Sequence, residues 1–331
     1  MMNILFIGGT GFVGKSFINY IKTNNILDVS QITIVGRSAD SFLADNPEFK
    51  QLENIKYISA DILNDMTQLE GHNFSHVVHA AATKIVPTAE QDPFECIKTN
   101  VNGAMNLIEA CIDQGVKRVV ALSTDKASSP INLYGASKLS SDKLFVASNN
   151  SYAQGHKTIF SIVRYGNVMG SRGSVIPFFM SIKDKSSLPI TDKNMTRFMI
   201  SLDQGVKLVW HALKDMMGGE IYVKKIPSMK IIDVAKTISP KAKLKFTGVR
   251  PGEKIHEEMI SSSDSFSTFE YPDYYKILPQ INEWWRDKKR IKNGKKVPKG
   301  FTYNSLENKN WMTKKQLQKW MEINKNLIGK F

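Results

Sequence analysis

The sequence predicts an α/β protein built on a Rossmann-like, doubly wound parallel sheet, with a smaller and discontinuous substrate-binding lobe. Three observations lead to this fold class. In the first half of the chain, short apolar segments alternate with longer helical patterns, as in a parallel sheet covered by helices. A glycine-rich turn directly follows the first of these segments. After about Tyr165 the alternation gives way to Gly, Ser and Pro, which indicates that a second lobe begins there.

The length and composition fit this class. A chain of 331 residues with 42% hydrophobic content can bury one large domain together with a smaller lobe. The same composition excludes a disordered chain, a collagen-like repeat and a disulfide miniprotein. No apolar run approaches the roughly 18 residues that span a bilayer, and the start of the chain lacks the basic region of a secretion signal. We therefore expect a cytoplasmic protein without a membrane span.

The two cysteines agree with that compartment. Cys96 and Cys111 fall on one predicted helix, and at the helical rise per residue they would lie about 22 Å apart. This separation is far beyond disulfide reach, so both are expected to be reduced.

Six strands and three helices can be placed in the first half of the chain. The second helix has apolar residues at helical spacing from Ile97 to Cys111. Six strands at this spacing favour a doubly wound sheet. The predicted strands are 3–7, 31–35, 55–59, 76–80, 117–122 and 158–163, and the helices are 12–22, 93–114 and 133–148.

This pattern divides the chain into three parts. Residues 1–165 and 200–223 are assigned to a dinucleotide-binding domain, and residues 166–199 and 224–280 to the lobe. Residues 281–331 form a basic C-terminal extension with 14 Lys or Arg against 4 Asp or Glu. A solvated lysine-rich surface explains this charge, with docking to acidic partners, nucleic acid or a membrane surface as the alternative. No recognition motif accompanies the charge, so we expect no nucleic-acid partner.

The extension also contains four of the five tryptophans, namely Trp284, Trp285, Trp311 and Trp320. We expect their rings to pack on the small lobe or on a neighbouring subunit. If they only support assembly, truncation after residue 280 should leave the chemistry intact.

The turn from the first strand to the first helix has the glycine spacing of a dinucleotide-binding loop. Gly8 permits a tight turn, Gly11 lets the backbone approach a pyrophosphate, and Gly14 lets the helix pack closely on the strand. The helix N-terminus then faces the negative charge. The strand before and the helix after make this pattern specific, whereas a plain turn needs fewer glycines. The candidate cofactor-binding residues of the loop are Gly8, Thr10, Gly11, Phe12, Val13 and Gly14.

The end of the second predicted strand indicates which dinucleotide is preferred. A site for NAD typically has a carboxylate there for the ribose 2′-hydroxyl, but this chain reads Gly36-Arg37-Ser38. Arg37 can pair with a 2′-phosphate, so we predict NADP rather than NAD as the cofactor. The alternative is that Arg37 stacks on adenine or faces solvent. Asp61, after the third strand, can accept a hydrogen bond from the adenine amino group or cap the following turn.

A Tyr-x-x-x-Lys pair follows the fifth predicted strand. Tyr134 and Lys138 lie four residues apart on one helix face, where the ammonium can lower the pKa of the tyrosine and hold the nicotinamide ribose. Such a pair is common by itself. Here Thr124 precedes it at the end of a strand, in a chain that also carries the glycine loop. The combination predicts Tyr134 as the base for a substrate hydroxyl.

These motifs make the chain resemble the extended short-chain dehydrogenase/reductase superfamily. Six further stretches resemble one group within it, the inverting UDP-N-acetylglucosamine 4,6-dehydratases that begin pseudaminic acid biosynthesis. The resemblance covers residues 3–280, and few enzyme groups share so many of these stretches. They read HAAATKIVP (79–87), CIKTN (96–100), STDKA (123–127), NLYGASK (132–138), RYGNV (164–168) and RPGEK (250–254).

The resemblance implies an enzyme that acts on UDP-N-acetylglucosamine or a close UDP-sugar and recycles a tightly held NADP. Such an enzyme oxidises C4, removes the C5 proton, expels the C6 hydroxyl and returns the same hydride to C6. Tyr134 suits the first step, and Asp125 is the candidate acid for the leaving hydroxyl. Lys126 takes the position of the usual C5 base, a glutamate in the retaining enzymes. To act as a base it must lose a proton, which burial and the nearby Lys138 could encourage. A surface turn at residues 125–126 is the alternative.

Further binding residues follow from the same resemblance. Lys84 matches a position beside the sugar, and Asn167 matches one that reaches the diphosphate. The alternatives are an exposed loop lysine at position 84 and, at Arg250, a rigid Pro-Gly turn with incidental charges. The resemblance implies Ala80 as a cofactor-binding residue and Lys84, Asn167, Arg197, Arg250 and Glu253 as substrate-binding residues.

Other features of the sequence limit the choice of function. His79 is expected to be a packed histidine, and neither His256 nor Cys96 has partners at metal-ligand spacing, so we expect no metal. The family resemblance implies a homo-oligomer. Three alternatives stay open: a C5-retaining dehydratase, an enzyme for another N-acetylated UDP-sugar, and a non-catalytic NADP-binding sensor. A sensor would be expected to lack Tyr134 or Lys138.

Overall fold

The fold is seen in a computed structural model that describes residues 1–24, 26, 28–50, 52–63, 66, 71–150, 155–326 and 328–329. Strands and helices alternate through the first half of these residues, as the sequence predicts. The strands are β1 (Met2–Ile7), β2 (Val29–Gly36), β3 (Ile55–Ser59), β4 (His76–His79), β5 (Arg118–Thr124), β6 (Ile159–Tyr165), β7 (Asn167–Val168), β8 (Ser187–Ile190), β9 (Thr196–Ile200), β10 (Ile221–Lys224), β11 (Ser228–Lys230), β12 (Lys243–Phe246), β13 (Glu258–Ile260), β14 (Thr268–Glu270), β15 (Tyr274–Ile277), β16 (Lys295–Lys296) and β17 (Tyr303–Asn304). The α-helices are α1 (Phe12–Thr23), α2 (Ala39–Asp45), α3 (Val86–Gln91), α4 (Pro93–Ile97), α5 (Gly103–Asp113), α6 (Leu133–Ala147), α7 (Val175–Ser181), α8 (Leu202–Asp215), α9 (Ile231–Ile238), α10 (Lys288–Ile291) and α11 (Lys314–Ile323).

A ten-stranded sheet organises the molecule. Its order is β16-β14-β15-β10-β6-β5-β4-β1-β2-β3, and the seven strands from β10 to β3 are parallel. The six predicted strands therefore form the order 3-2-1-4-5-6 of a doubly wound dinucleotide-binding sheet, and this fold class is confirmed. The strand order reverses between β1 and β4, and ligands of such sheets bind at the carboxyl ends of the strands beside that point.

The central strands are apolar on both sides because helices cover both faces of the sheet. Alternate residues of β1 show this directly, since Ile4 packs into the core on one face and Leu5 into the core on the other. Phe17 of α1 belongs to the first core, with residues of α8, and Leu107 of α5 belongs to the second, with Phe145 of α6. The sheet is thus held rigidly between two helical layers.

The predicted helix at residues 93–114 is helical throughout but is not a single α-helix. It consists of α4, a π-helical turn at Lys98–Asn102 and α5. The wider turn places Asn100 in the interior with 1% of its surface exposed. Such π turns are frequent at functional sites, and sequence periodicity does not reveal them. Cys96 and Cys111 are both buried and unpaired, as expected.

The smaller lobe is built from short strands and two helices. β7, β9 and β11 form a three-stranded sheet, and β8 pairs with β12. Residues of α7 and α9, such as Ile176 and Val234, close an apolar core around Leu188. This core also contains Leu317 of α11, so the C-terminal extension contributes to the lobe.

The division of the chain after residue 223 differs from the prediction. β14 and β15, which the sequence assigned to the lobe, extend the main sheet as antiparallel strands beyond β10. From the extension, β16 continues this edge, whereas β17 pairs with β13 and α11 packs against α9. Strands of two to four residues have too little periodicity to be placed from sequence, and a sheet edge can accept them from any part of the chain.

Three tryptophans of the extension pack within the chain itself, whereas Trp311 is 37% exposed. Trp320 packs against the lobe core, close to Gly170, where an added Cβ would lie 2.9 Å from its ring. Trp285 lies 4.6 Å from Phe266 between ring centroids, beside the edge of the main sheet. The guanidinium of Arg290 stacks over Trp284. The extension is therefore a structural part of both lobes, and its removal is not expected to be neutral.

No helix among the described residues is both long and apolar enough to cross a membrane.

Replacement of Leu317 by alanine tests the structural role of the extension. Leu317 is fully buried, so Leu317→Ala should lower the free energy of unfolding by about 2–5 kcal/mol through lost burial and the cavity left behind. Leu306→Ala is the matched control, because Leu306 is 49% exposed and its loss should cost less than about 0.5 kcal/mol. Denaturant unfolding followed by circular dichroism measures both. Equal stability of the two variants would contradict the proposed packing.

Candidate active site

A cleft of about 1220 Å³ lies at the carboxyl ends of the parallel strands, between the main sheet and the lobe. It collects residues from β1, β2, β5, α6, β7 and the loops that follow β4 and β12. Almost all the site residues predicted from sequence line it. They are Gly8, Thr10, Gly11, Val13, Arg37, Asp61, Ala80, Lys84, Thr124, Asp125, Lys126, Tyr134, Lys138, Asn167, Arg197, Arg250 and Glu253. Gly14 lies on α1 next to the loop but is not among the lining residues, and the side chain of Phe12 lies outside the part of the chain that the structure describes.

The glycine loop shapes one end of this cleft. Gly8 has φ of +76°, and a Cβ added there would lie 2.6 Å from the backbone nitrogen of Ala81. A Cβ on Gly14 would lie 2.0 Å from the carbonyl oxygen of Gly9, so only glycine lets α1 approach the turn this closely. The N-terminus of α1 therefore opens onto the cleft with its free amide groups, an arrangement that attracts anions.

Arg37 and Asp61 lie beside this loop. β2 ends at Gly36, and Arg37 is exposed at the rim of the cleft with no acidic residue at the adjacent positions 36 and 38. Asp61 Oδ1 accepts a hydrogen bond from the backbone nitrogen of Leu63 at 3.0 Å. One carboxylate oxygen of Asp61 thus caps the following turn, which was one of the two roles considered for it.

The turn after β5 is buried rather than exposed. Thr124 Oγ1 donates to Asp125 Oδ1 at 3.0 Å and accepts from the backbone nitrogen of Lys126 at 3.3 Å. Asp125 is only 1% exposed. The α6 helix packs against the turn at Gly135, where a Cβ would lie 2.3 Å from the carbonyl oxygen of Lys126. The alternative of a surface turn at residues 125–126 is therefore wrong.

The ammonium of Lys126 lies between two buried carboxylates. Its Nζ is 3.1 Å from Asp125 Oδ1 and 3.2 Å from Glu257 Oε1. Burial alone would lower the pKa of Lys126, but the negative charges of Asp125 and Glu257 outweigh burial and raise the pKa above its usual value. The expectation that burial and Lys138 would favour the neutral amine is wrong for this arrangement, because two carboxylates stabilise the charged form.

Glu257 is a site residue that the sequence analysis missed. It is 2% exposed, lines the cleft and lies 3.6 Å from Arg197 Nε. Burial opposes its ionisation, yet Lys126 and Arg197 lower the pKa of Glu257. Its Oε2 and the Oδ2 of Asp125 are both buried without a hydrogen-bond partner among the described residues. Buried carboxylate oxygens of this kind are available to a bound molecule.

Asp125 differs from Glu257 in its affinity for protons. Burial and the charge of Glu257 raise the pKa of Asp125, and these effects exceed the opposing influence of Lys126 and Thr124. A carboxyl group with a raised pKa retains its proton more readily and suits the role of a general acid. The two carboxylates around Lys126 are thus tuned in opposite directions, a pattern typical of catalytic pairs.

Tyr134 lies at the start of α6, where Asn132 caps the helix by accepting from the backbone nitrogen of Gly135 at 2.8 Å. Burial raises the pKa of Tyr134 to about 12, although Lys126 and a hydrogen bond with Thr124 lower it in part. The sequence analysis assigned this lowering to Lys138, but the cation that lowers the pKa of Tyr134 is Lys126. Lys138 is itself buried, and burial lowers its pKa.

His79 is a packed histidine, as expected. Its ring lies 5.7 Å from that of Phe145, and burial together with the charge of Lys138 lowers its pKa to about 3. The imidazole is therefore neutral at physiological pH and holds no proton to donate as a cation.

Asn100 ties the wall of the cleft to α6 and was also missed as a functional residue. Its Nδ2 donates to the carbonyl of Thr83 and to Ser137 Oγ, both at 3.0 Å, and its Oδ1 accepts from the backbone nitrogen of Thr83 at 2.9 Å. These bonds fix the loop after β4 relative to the helix that carries Tyr134. The stretch CIKTN contains Asn100, but nothing in that pattern indicates the π turn that directs it inward.

The lobe side of the cleft is rich in cations. Lys84 and Arg172 face each other closely enough that burial and the charge of Arg172 lower the pKa of Lys84. Asn167 Oδ1 is buried without a hydrogen-bond partner among the described residues. Arg172 was not predicted, because it stands in a Gly-Ser stretch without a distinctive pattern. The two close positive charges suit an anionic ligand, and the free amide oxygen of Asn167 can accept a hydrogen bond from a donor group of the same ligand.

The remaining predicted residues of the lobe form a connected network. Arg197 is buried and donates to the carbonyl groups of Thr196, Lys254 and Ile255 at 2.7–3.0 Å. Most of its donors are used in this way, so it fixes the loop at residues 253–257. Arg250 pairs with Glu253 at 3.1 Å, and its side chain is 70% exposed. Both residues lie on the rim of the cleft.

Within the described residues, no group of three or more His, Cys, Asp or Glu side chains is arranged to hold a metal ion.

Comparisons with known proteins agree with this fold. The doubly wound sheet, the glycine loop and the Thr124, Tyr134 and Lys138 constellation define an extended short-chain dehydrogenase/reductase. Within that class, residues 4–279 match the polysaccharide biosynthesis protein family, and the chain belongs to this family.

Individual relatives extend over nearly the whole chain. The chain is 46% identical to the UDP-N-acetylglucosamine 4,6-dehydratase (inverting) of Campylobacter jejuni, across 95% of this chain and 96% of the relative. The X-ray structure of Pen from Bacillus thuringiensis superposes with a TM-score of 0.86 at 34% identity, covering 98% of each chain. DesIV, a dTDP-glucose 4,6-dehydratase of Streptomyces venezuelae solved with NAD, has a TM-score of 0.67 at 24% identity over 77% of this chain and 87% of that one, a likeness of fold alone.

Proposed function

We propose that this protein is a UDP-N-acetylglucosamine 4,6-dehydratase that inverts C5 and yields UDP-2-acetamido-2,6-dideoxy-β-L-arabino-hex-4-ulose. One observation carries the proposal: the buried group of Asp125, Lys126 and Tyr134 shares a single cleft with the glycine loop. The identity with the Campylobacter jejuni enzyme supports the same substrate. The product would enter the synthesis of pseudaminic acid or a related glycan, and a homo-oligomeric assembly stays a prediction.

The glycine end of the cleft fits a dinucleotide. The open N-terminus of α1 suits a pyrophosphate, and the exposed Arg37 beside it suits a 2′-phosphate, so we propose NADP rather than NAD. The opposite end of this part of the cleft reaches Tyr134 and Lys138. When bound there, the nicotinamide would take up the hydride of C4 and return it at C6.

Lys126 and the side chains around it would each carry out a different proton transfer of the reaction. Tyr134 would receive the proton of the C4 hydroxyl as a phenolate. Burial raises the pKa of Tyr134 to about 12, so the phenolate depends on the opposing effects of the Lys126 ammonium and of the hydrogen bond with Thr124. Asp125, which holds a proton more readily than an ordinary carboxyl, would donate to the C6 hydroxyl as it leaves. Lys126 would take the C5 proton as a neutral amine, which forms when its ammonium proton passes to the Asp125 carboxylate 3.1 Å away and then leaves with the C6 hydroxyl as water. Because inversion needs the new C5 proton on the opposite face, Tyr134 would supply it from the proton gained at the C4 hydroxyl. The proton transfers at C4, C5 and C6 would thus be carried out by three side chains of one site, Tyr134, Asp125 and Lys126.

Two cations of the cleft, Lys84 after β4 and Arg172 in the lobe, fit the nucleotide part of the substrate. Lys84 and Arg172 are close to each other and would be relieved of mutual repulsion by a diphosphate. Asn167 would present its amide to the same group, and Arg250 with Glu253 would contact the nucleoside from the rim. Arg197 would act indirectly, because its guanidinium is occupied by the loop at residues 253–257.

The stereochemical outcome in heavy water tests the proposed function. Incubation with UDP-N-acetylglucosamine and without added reductant should give the 4-keto-6-deoxy product with deuterium at C5, because that proton is exchanged during turnover. Proton NMR couplings should report the L-arabino configuration, and reduced cofactor should not accumulate. Deuterium at C5 with retained configuration would instead identify a retaining dehydratase, and no conversion would reject the proposed substrate.

Removal of a proton-transfer group should slow the reaction strongly. Tyr134→Phe and Lys126→Ala should each reduce kcat by about 100-fold or more, the usual effect of losing a general acid or base. Tyr20→Phe and Lys207→Ala, on the outer helices α1 and α8, are matched controls that should keep the wild-type rate. Steady-state kinetics on folded proteins measures all four. If both site variants kept the wild-type rate, these residues would not carry the chemistry.

The choice of cofactor rests on Arg37. Loss of a charge-assisted contact in Arg37→Ala should weaken binding of NADP by about 1–3 kcal/mol and leave that of NAD nearly unchanged. Isothermal titration calorimetry with both dinucleotides measures the difference, with Lys50→Ala as a surface control. Equal losses for NADP and NAD would show that Arg37 does not recognise the 2′-phosphate.

A further inference from the structure

We propose that Glu257 is a further positioning residue of the reaction, which sets the charges of Lys126 and Asp125 and is held in place by the C-terminal extension. The inference rests on the proposed function for its catalytic consequence. Its structural basis, however, consists of contacts among residues of this chain alone. Glu257 is not part of any motif from which the family resemblance was drawn.

The first step concerns the burial of the charges. Lys126 Nζ lies 3.2 Å from Glu257 Oε1 and 3.1 Å from Asp125 Oδ1, and both carboxylates are nearly inaccessible to solvent. A buried charge is tolerated only when it is paired, and the single ammonium of Lys126 cannot neutralise both carboxylates, which leaves an excess of negative charge on the carboxylate without a second cation. That excess favours a proton on one of the carboxyl groups.

The second step concerns which carboxyl group takes the proton. Glu257 faces Arg197 at 3.6 Å as well as Lys126, and the ammonium of Lys254 also acts on it. Asp125 faces only Lys126 among these cations at ion-pair distance, together with the hydroxyl of Thr124. Glu257 therefore remains ionised, and its negative charge disfavours the ionisation of Asp125. Asp125 is thereby kept in the protonated form that a leaving hydroxyl requires.

The third step concerns what fixes Glu257. Its backbone nitrogen donates to Ser305 Oγ at 2.9 Å, and the backbone nitrogen of Ser305 donates to its carbonyl at 2.8 Å. Ser305 is fully buried, and its Oγ lies 2.7 Å from Thr196 Oγ1. The pairing of β13 with β17 directly follows this contact. A strand of the C-terminal extension thus locks the residue that faces Lys126.

The substitution Glu257→Gln separates charge from shape. The amide keeps the size of the side chain and an oxygen for Lys126, but it removes the negative charge that raises the pKa of both Asp125 and Lys126. The descending limb of the kcat–pH profile, where Asp125 loses its proton, should move to lower pH by about one unit, which lowers kcat by up to about tenfold on the alkaline side of that limb. Glu257→Asp keeps the charge and should restore most of the profile.

Glu258→Gln is the matched control at the adjacent position. Glu258 Oε1 accepts hydrogen bonds from the hydroxyl groups of Ser128 and Ser129 and has no ion pair with Lys126 within the described residues. Its loss should leave the position of the descending limb unchanged. Ser305→Ala should lower kcat and leave KM nearly unchanged, because the variant loosens Glu257 without contacting the substrate.

A second measurement, the NMR titration of Lys126, tests the inference without the activity assay. In protein labelled with nitrogen-15 at lysine Nζ, NMR should show the Lys126 ammonium titrating at lower pH in Glu257→Gln than in the wild type, with Lys126→Met to assign the signal. Suppose that the wild type converts UDP-N-acetylglucosamine, but that neither the kcat–pH profile nor the titration of Lys126 shifts in Glu257→Gln. This result would overturn the inference but not the proposed function. No conversion by the wild type would overturn the proposed function, and the NMR titration would still decide the role of Glu257. If Glu257→Gln does not fold, Ser305→Ala decides, and a wild-type kcat in that variant would overturn the role of the extension.

Discussion

The ion pairs of Lys126 with Asp125 and Glu257 hold the two lobes in one functional unit. Asp125 and Lys126 follow β5 of the main sheet, whereas Glu257 belongs to the loop that leads from the lobe into β13. All three side chains lie at the base of the cleft. Removing one member of a buried pair typically costs about 3–5 kcal/mol, because an uncompensated charge remains. The relative position of sheet and lobe is therefore coupled to the charge state of the site.

This coupling explains why so much of the molecule is needed for a small set of reacting groups. The sheet fixes the ends of β4 and β5, the π turn fixes Asn100 against α6, and α6 presents Tyr134. The lobe supplies cations, and the C-terminal extension secures the loop that carries Glu257. Rigid elements of this kind hold catalytic groups more accurately than free loops, which is what a reaction with several proton transfers requires.

The sequence predicts the sheet and the glycine loop well. Apolar strand segments alternate with helical patterns over a long stretch, and the glycine spacing follows directly from the backbone conformation of the turn. It also predicts the residues at strand ends, such as Thr124 and Asp125, since parallel strands bring their carboxyl ends together. It does not predict the short edge strands β14 and β15, which lack periodicity. The role of Glu257 is equally invisible, because ion pairing with Lys126 depends on how distant segments pack. For the same reason, the expectation that Lys126 would be a neutral amine is wrong, because the sequence does not show that Glu257 lies beside it.

The central claim is that oxidation at C4 and reduction at C6 occur within one cleft during one residence of the sugar. A crossover experiment tests it most directly, with a mixture of UDP-N-acetylglucosamine deuterated at C4 and undeuterated substrate labelled throughout its sugar ring with carbon-13. Mass spectrometry of the product should find deuterium at C6 only in molecules without carbon-13. Deuterium in the carbon-13 product, or its loss to water, would contradict a hydride that leaves and returns within the same site.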